Sequence, residues 1–444
     1  MRANSPMRFA VSLSVLAAGA WTPVGSADAS VKHPSWHQIG PQPEFAPPAV
    51  AVAVDARASE AGGVTRLVFD LTARVVVKTL LTERPDRLII DLAQVNFQLD
   101  PAARRLGPKG VGLIRSFRFG LFAPGKSRIV IELTGPAALR GAEVESIAGG
   151  DPSRLTIELV RTDRAAFHEA VRRPLDPTGA AAAAPPADSP DVEATGTTRP
   201  AAQHDPRPVV VIDPGHGGID PGASGVLGAV EKTVVFDFAS ALESRLSAGN
   251  HYRVVMTRHD DSFVSLADRV RVARDADAAL FISVHADTLS DHSVSGATVY
   301  TASDRASDAE AARVAAAENQ ADEVAGLDPT PKAPEVSDIL FDLTRRETRA
   351  YGHQFQRTLT GYWSKIARLN RNPERAAGFK VLQAPDVPSV LLELGYLSSD
   401  RDARMLTSPE WRAKATDTVA SAIDRFFAVR AAPPYPALGP AAMR

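Results

Sequence analysis

The sequence predicts two domains of different class: an all-β sandwich N-terminal domain, and an α/β C-terminal domain with a mostly parallel sheet flanked by helices. Three observations carry this. Residues 48–162 hold short apolar runs bounded by turn residues. Residues 163–207 lose that patterning in a stretch rich in Ala, Pro, Asp and Thr. From Pro208 onward, continuous apolar runs alternate with segments of helical spacing, as in a parallel sheet covered on both faces.

Before the sandwich, Arg2 and Arg8 precede an apolar run, Phe9 to Ala20, and a small-residue stretch, Gly25 to Ala29. This is the pattern of an export signal over residues 1–29, and the run is short for a bilayer span. The arginines are not adjacent, so no twin-Arg signal is evident. The expected location is periplasmic, with no membrane span in the mature protein. Residues 30–47, rich in Pro, read as a tether, and residues 431–444 as a disordered tail. The 444 residues carry 50 basic and 52 acidic side chains, a balance that argues against bulk nucleic-acid binding. There is no cysteine, so thiol nucleophiles and Cys-held metals are excluded and any metal must be held by His, Asp or Glu.

Within the β region one pattern recurs: Arg66-Leu-Val-Phe-Asp-Leu71, Arg87-Leu-Ile-Ile-Asp-Leu92, Arg128-Ile-Val-Ile-Glu-Leu133 and Arg154-Leu-Thr-Ile-Glu-Leu159. Turn residues such as Gly62-Gly63, Pro85-Asp86, Pro124-Gly125 and Gly149-Gly150 precede the copies. Short strands at such spacing suggest a sandwich, and the repetition suggests two similar sheets.

In residues 208–430, strands are expected at Val209–Ile212, Val254–Met256, Ala279–Val284 and Val390–Leu394. Helices are expected at Val234–Leu246 and around Leu266, Val270 and Ala273. Ligand sites in such sheets lie beyond the carboxyl ends of the strands. Three of those ends carry unusual polar residues: Asp213-Pro-Gly-His216-Gly-Gly, Ser283-Val-His285-Ala-Asp287, and Glu393. Glu231 stands at the start of a helix.

Two histidines and a carboxylate form a catalytic zinc set that leaves a position for water. His216, Glu231 and His285 are therefore the expected ligands of Zn2+, and Glu393 the expected base. Asp213 or Asp287 is expected to orient a ligand. Each residue also has an ordinary reading: a hydrogen-bonded strand-end histidine, or a first-turn acid favoured by the helix dipole. Glu393, inside an apolar strand, is harder to assign to structure alone, because a lone buried acid is costly. Ser283 beside His285 suggests a serine hydrolase, but no nucleophile elbow surrounds it.

At these residues the chain resembles the zinc N-acetylmuramoyl-L-alanine amidases that separate daughter cells. The resemblance rests on Ile212-Asp-Pro-Gly-His-Gly-Gly218, Glu231-Lys232, Phe281-Ile-Ser-Val-His-Ala-Asp287 and Pro388-Ser-Val-Leu-Leu-Glu-Leu-Gly-Tyr-Leu-Ser398, with Thr257-Arg258 and Leu266 to Arg269 also fitting. It implies zinc ligands at His216, Glu231 and His285, catalysis by Glu393, and peptidoglycan as substrate. The β region resembles the AMIN domain found ahead of such amidases, which implies binding to peptidoglycan. The bland alternative is a spacer sandwich. The long stretch between Tyr300 and Phe379 resembles the regulated members, in which an inserted helix covers the zinc and offers it a Glu. That implies an autoinhibitory insertion over 303–362, with Glu318 the first and Glu323 the second candidate. It also implies an activator protein resembling an inactive zinc endopeptidase. Two rival functions are a zinc peptidase cutting within the stem peptide and a wall-binding scaffold without turnover.

Overall fold

The computed structural model describes residues 50–99, 106–107, 109–147, 151–172, 205–327 and 339–431. The expected export signal, the tether, most of the linker and the tail lie outside the described residues.

Nine strands build the N-terminal sandwich: β1 (Ala51–Ala61), β2 (Val64–Leu71), β3 (Val77–Thr82), β4 (Arg87–Ala93), β5 (Val95–Phe97), β6 (Ile114–Ala123), β7 (Lys126–Leu133), β8 (Ala137–Ser146) and β9 (Ser153–Arg161). One sheet has the order β5-β1-β2-β9-β8 and the other β3-β4-β7-β6. The four sequence repeats are β2, β4, β7 and β9, two per sheet, paired antiparallel as β2 with β9 and β4 with β7. Antiparallel pairing sets the Arg that opens one copy against the acid near the end of its neighbour. Arg66 meets Glu158 at 2.6 Å, Arg154 meets Asp70 at 2.7 Å, and Arg128 meets Asp91 at 2.5 Å. The repeat is thus a cross-strand charge register repeated once in each sheet. Alternate residues, including Leu67, Phe69, Leu88, Ile90, Ile129, Ile131, Leu155 and Ile157, fill the core between the sheets.

The linker expected over 163–207 begins with ordered structure. Residues Arg164–Arg172 form α1, whose Phe167 is fully buried in the sandwich core. Phe167, Ala170 and Val171 recur at helical spacing and put one face of this short segment against the sandwich core.

The second domain contains β10 (Val209–Pro214), α2 (Glu231–Ala248), β11 (Arg253–Met256), α3 (Leu266–Asp275), β12 (Leu280–His285), β13 (Ala297–Ala302), α4 (Ala309–Glu318), α5 (Ala321–Val324), α6 (Ile339–Trp363), β14 (Leu369–Ala377), β15 (Ser389–Glu393), α7 (Asp400–Leu406) and α8 (Pro409–Ala431). The sheet order is β11-β10-β12-β15-β13-β14. Strands β11, β10, β12 and β15 run parallel, whereas β13 is antiparallel to β15 and carries β14 parallel to itself. The sheet is mixed but mostly parallel, one of its five pairings being antiparallel, and its four-stranded parallel run holds the strand ends of interest.

Alternation within strands assigns the two faces. Val210, Ile212, Ile282, Val390 and Leu392 pack under α2, α6 and α8 with Phe238, Trp363 and Phe426. Val211, Phe281, Leu391 and Tyr300 pack on the other face with Leu266 and Ala273 of α3 and Val314 of α4. Each such side chain, fully buried, contributes roughly 1.5–3 kcal/mol. The insertion expected over 303–362 comprises α4, α5 and α6, of which α6 also roofs the sheet.

Candidate metal centre and active site

Strand register brings the polar strand ends together. Asp213 of β10 pairs with Ser283 of β12, and His285 of β12 pairs with Glu393 of β15. Glu231, at the first turn of α2, reaches the same edge and accepts hydrogen bonds from the backbone amides of Ala223 (2.8 Å) and Ala286 (2.9 Å). Glu318, the last residue of α4, joins them.

Ligand atoms of His216, Glu231, His285 and Glu318 all lie within 4.8 Å of one another, and all four residues are buried. His285 Nδ1 is 3.2 Å from Glu231 and 3.0 Å from Glu318. His216 Nε2 is 3.1 Å from Glu231 and 3.6 Å from Glu318. Despite that 3.1 Å approach, His216 Nε2 makes no hydrogen bond. A buried ring nitrogen without a partner, among carboxylates and a second imidazole, suits a divalent cation. Glu318 at a helix C-terminus opposes the helix dipole, so it too calls for a positive partner. The donor set of nitrogen and carboxylate oxygen fits zinc.

Asp220 sets the tautomer of His216. Its Oδ2 lies 2.8 Å from Nδ1. Burial pushes the Asp220 carboxyl up, but His216 and the Gly222 amide more than offset this and hold it below the ordinary range. An ionised carboxylate only accepts, so Nδ1 carries the hydrogen, which leaves Nε2 as the nitrogen that would ligate a cation.

Neither acid expected to orient a ligand does so directly. Asp213 accepts from Thr257 Oγ1 (2.5 Å), Ser283 Oγ (2.7 Å) and Arg269 Nη1 (2.7 Å), and reaches His216 only through Arg269, whose Nη2 donates to the His216 carbonyl at 2.7 Å. Asp287 has no hydrogen bond to either imidazole among the described residues. Its backbone amide donates to Glu393 Oε2 at 3.1 Å. Burial and the nearby Glu318, Glu231 and Glu393 push its carboxyl well above the usual range. Sequence reading missed Asp220 although it follows His216 by four positions.

Two buried arginines knit the loop that carries His216. Arg258 donates to the carbonyls of Pro214 and Gly215, and Arg269 to those of Pro214 and His216. Two glycines there serve close packing inside the protein. A Cβ on Gly215 would stand 2.4 Å from the His285 ring, and one on Gly218 would stand 1.8 Å from the Leu121 carbonyl oxygen.

Glu393 is fully buried, and its Oε1 has no hydrogen-bond partner. Burial is the main cause of a carboxyl pKa pushed up to about 8, which His285 lowers and Glu231 and Glu318 raise. Such a raised carboxyl is what a positioned acid or base working near neutral pH requires. Glu323 is half-buried on α5 and is outside the cluster. A cleft of about 530 Å³ opens beside the cluster, lined by His216, Asp220, Asp287, Arg313 and Glu318 and reached by Arg118 from β6.

Paired imidazoles and carboxylates at the carboxyl edge of an α/β sheet, with a proton-exchanging acid beside them, define the class of a hydrolase. The family described as N-acetylmuramoyl-L-alanine amidase matches residues 210–425, and the AMIN domain family matches residues 53–159. The N-acetylmuramoyl-L-alanine amidase AmiC of Escherichia coli O6:H1 is 29% identical, covering 86% of this chain and 90% of that protein. AmiC of Neisseria meningitidis serogroup B is 29% identical over 82% of this chain and 86% of its own length. AmiA of Escherichia coli K12 is 39% identical over 49% of this chain and 76% of its own. This chain belongs to the N-acetylmuramoyl-L-alanine amidase family and carries an AMIN domain ahead of the amidase domain.

Proposed function

We propose that the chain hydrolyses the amide bond between N-acetylmuramic acid and the L-alanine of peptidoglycan stem peptides, in cell separation, with zinc held by His216, Glu231 and His285. The observation that carries this reading is the buried cluster of these residues beside Glu393, whose Oε1 has no partner. When bound, zinc supplies Lewis-acid polarisation of the scissile carbonyl and a lowered pKa for water. Glu393 takes the proton of the attacking water and delivers it to the leaving amide nitrogen. Asp220 keeps the lone pair of His216 Nε2 turned to the cluster, and Arg258 and Arg269 hold the loop in place.

Glu318 fills a fourth position in this cluster, so the structure described is read as a restrained enzyme. An activator that draws α4 away frees that position for water. Such an activator is proposed as an inactive relative of zinc endopeptidases. The domain reading is an exported, periplasmic protein with a signal at 1–29 and a tether at 30–47. The AMIN domain at 48–162 binds the wall and the linker runs to 207. The amidase domain spans 208–430, with its insertion at 303–362 and a tail at 431–444.

The test is digestion of purified peptidoglycan by the full chain and by Glu318→Ala, with and without chelator, followed by mass spectrometry. Free intact stem peptides, lost with chelator and restored by zinc, are expected. Shortened stems indicate a peptidase acting within the stem. No release by either protein indicates a scaffold.

A further inference from the structure

The outer face of the β3-β4-β7-β6 sheet should be wet and polar, as in most antiparallel sandwiches. Two of its residues are not. Ile89 on β4 and Val130 on β7 point away from the sandwich core, yet each is only 1% exposed. They are covered by Ala325 and Leu327, just after α5, together with Ile219 and Phe263 of the amidase domain. The fit at Gly326 is close: a Cβ there would stand 2.7 Å from Ile89 Cδ1.

Arg128 completes the contact. Its Nε and Nη2 engage Asp91 at 2.5 and 2.9 Å, while Nη1 donates to the Ala325 carbonyl at 2.8 Å. The guanidinium also lies 3.5 Å from the centre of the Phe122 ring. Ala325 caps the C-terminus of α5, so its carbonyl is one of the orphan acceptors that a cation satisfies best. From the amidase side, Asp322 of α5 accepts from the Leu266 amide at the start of α3, at 2.9 Å. The segment after Glu318 is thus pinned between the two domains.

A second grip lies on the loop that carries His216. The Ile219 amide donates to the Leu121 carbonyl at 3.2 Å. Gly120 and Gly218 meet backbone to backbone, a Cβ on Gly120 standing 2.6 Å from Ile219 N. Phe122 stacks on Phe263 with ring centres 6.0 Å apart.

We infer that this face of the AMIN domain is a docking surface for the chain's own segment Ala321–Leu327, and that its docking holds α4, and with it Glu318, in the metal cluster. The AMIN domain is then a brake as well as a wall-binding module. Displacing it loosens α5 and shifts the enzyme toward the open state. The inference rests on the reading of Glu318 as the group that blocks the site.

The test uses the full chain and two substitutions on opposite sides of the contact, Val130→Asp and Leu327→Asp. The second lies outside the sandwich and leaves its folding untouched. Both are expected to raise basal release of stem peptides about tenfold, the shift that about 1.4 kcal/mol of lost contact produces. Both should also speed hydrogen exchange at the amides of Ala325, Gly326 and Leu327. A rise with Glu318→Ala, but no rise and no faster exchange with either contact variant, overturns the docking role and leaves the blocking role standing. No rise with Glu318→Ala means that the blocking role has failed. Hydrogen exchange then decides the docking surface alone, and unchanged protection overturns it.

Discussion

Glu318 presents Oε2 3.0 Å from Nδ1 of His285, and both side chains are buried. A carboxylate in that position would compete with water for a cation held by the cluster. Glu318→Gln keeps the size of the side chain and removes the charge. Its expected effect is a rise in basal turnover of about tenfold or more, read by release of dye-labelled peptidoglycan fragments. Turnover equal to the parent protein would show that the carboxylate does not restrain the site. Glu323→Gln, outside the cluster, should change nothing.

Removing the acid beside the cluster should separate chemistry from metal binding. Glu393→Gln is expected to lower kcat by about 10²–10⁴-fold while zinc content, measured by plasma mass spectrometry, stays at one per chain. His285→Ala should lose both. Loss of zinc from the Glu393→Gln protein would reassign Glu393 as a ligand.

Asp220 acts through His216. Asp220→Asn offers an amide that no longer enforces the tautomer, and zinc affinity should fall about 10–100-fold. Competition with a chromogenic chelator measures this. Affinity within twofold of the parent would leave Asp220 a loop residue only.

Asp213 is expected to contribute to acid stability. Burial pushes its carboxyl up, but Arg269 and the hydroxyls of Thr257 and Ser283 more than offset this and hold it below the ordinary range. A depressed native value means that the unfolded chain binds the proton more readily. The stabilisation is therefore complete above the unfolded value, about pH 4, and is lost as pH falls through the native one. Asp213→Asn strands Arg269 and should cost about 3–5 kcal/mol at neutral pH. It should also flatten the acid limb below about pH 4 in denaturant titrations. An unflattened acid limb would place the acid sensitivity elsewhere.

Phe167 of α1 ties the residues after the sandwich into its core. Phe167→Ala should destabilise the sandwich by about 3–5 kcal/mol, seen as an earlier thermal transition. An unshifted transition would make α1 an ornament of the linker.

Much of the site could be read from sequence because chemistry and topology agree there. Continuous runs such as Val209–Ile212 and Leu280–Val284 mark buried parallel strands, and polar residues at their ends can only serve the shared edge. Asp220 escaped because it lies in a Gly-rich loop, where no period indicates which side chain turns back. The cover over Ile89 and Val130 was faintly visible as Leu88-Ile89-Ile90, three apolar residues that break strand alternation. Its partner could not be found, since Arg128 and Ala325 are 197 positions apart. The helix α1 was legible in principle, as Phe167, Ala170 and Val171 at helical spacing behind the capping Asp163, but at nine residues its pattern is short and merges into the Ala/Pro-rich stretch that follows.

Strand β15 lies inside the sheet, between β12 and β13, and Glu393 is held in register with His285 on one side and Thr298 on the other. The backbone that carries this acid is therefore fixed in the sheet on both sides, apart from α4. If α4 is the part that moves, each molecule is expected to be either idle or working at one fixed pace, and a partial stimulus to change how many work, not how fast each one works. Apparent kcat should climb with the working fraction while KM stays flat. Single enzymes watched on immobilised wall fragments should show bursts of constant speed separated by silence.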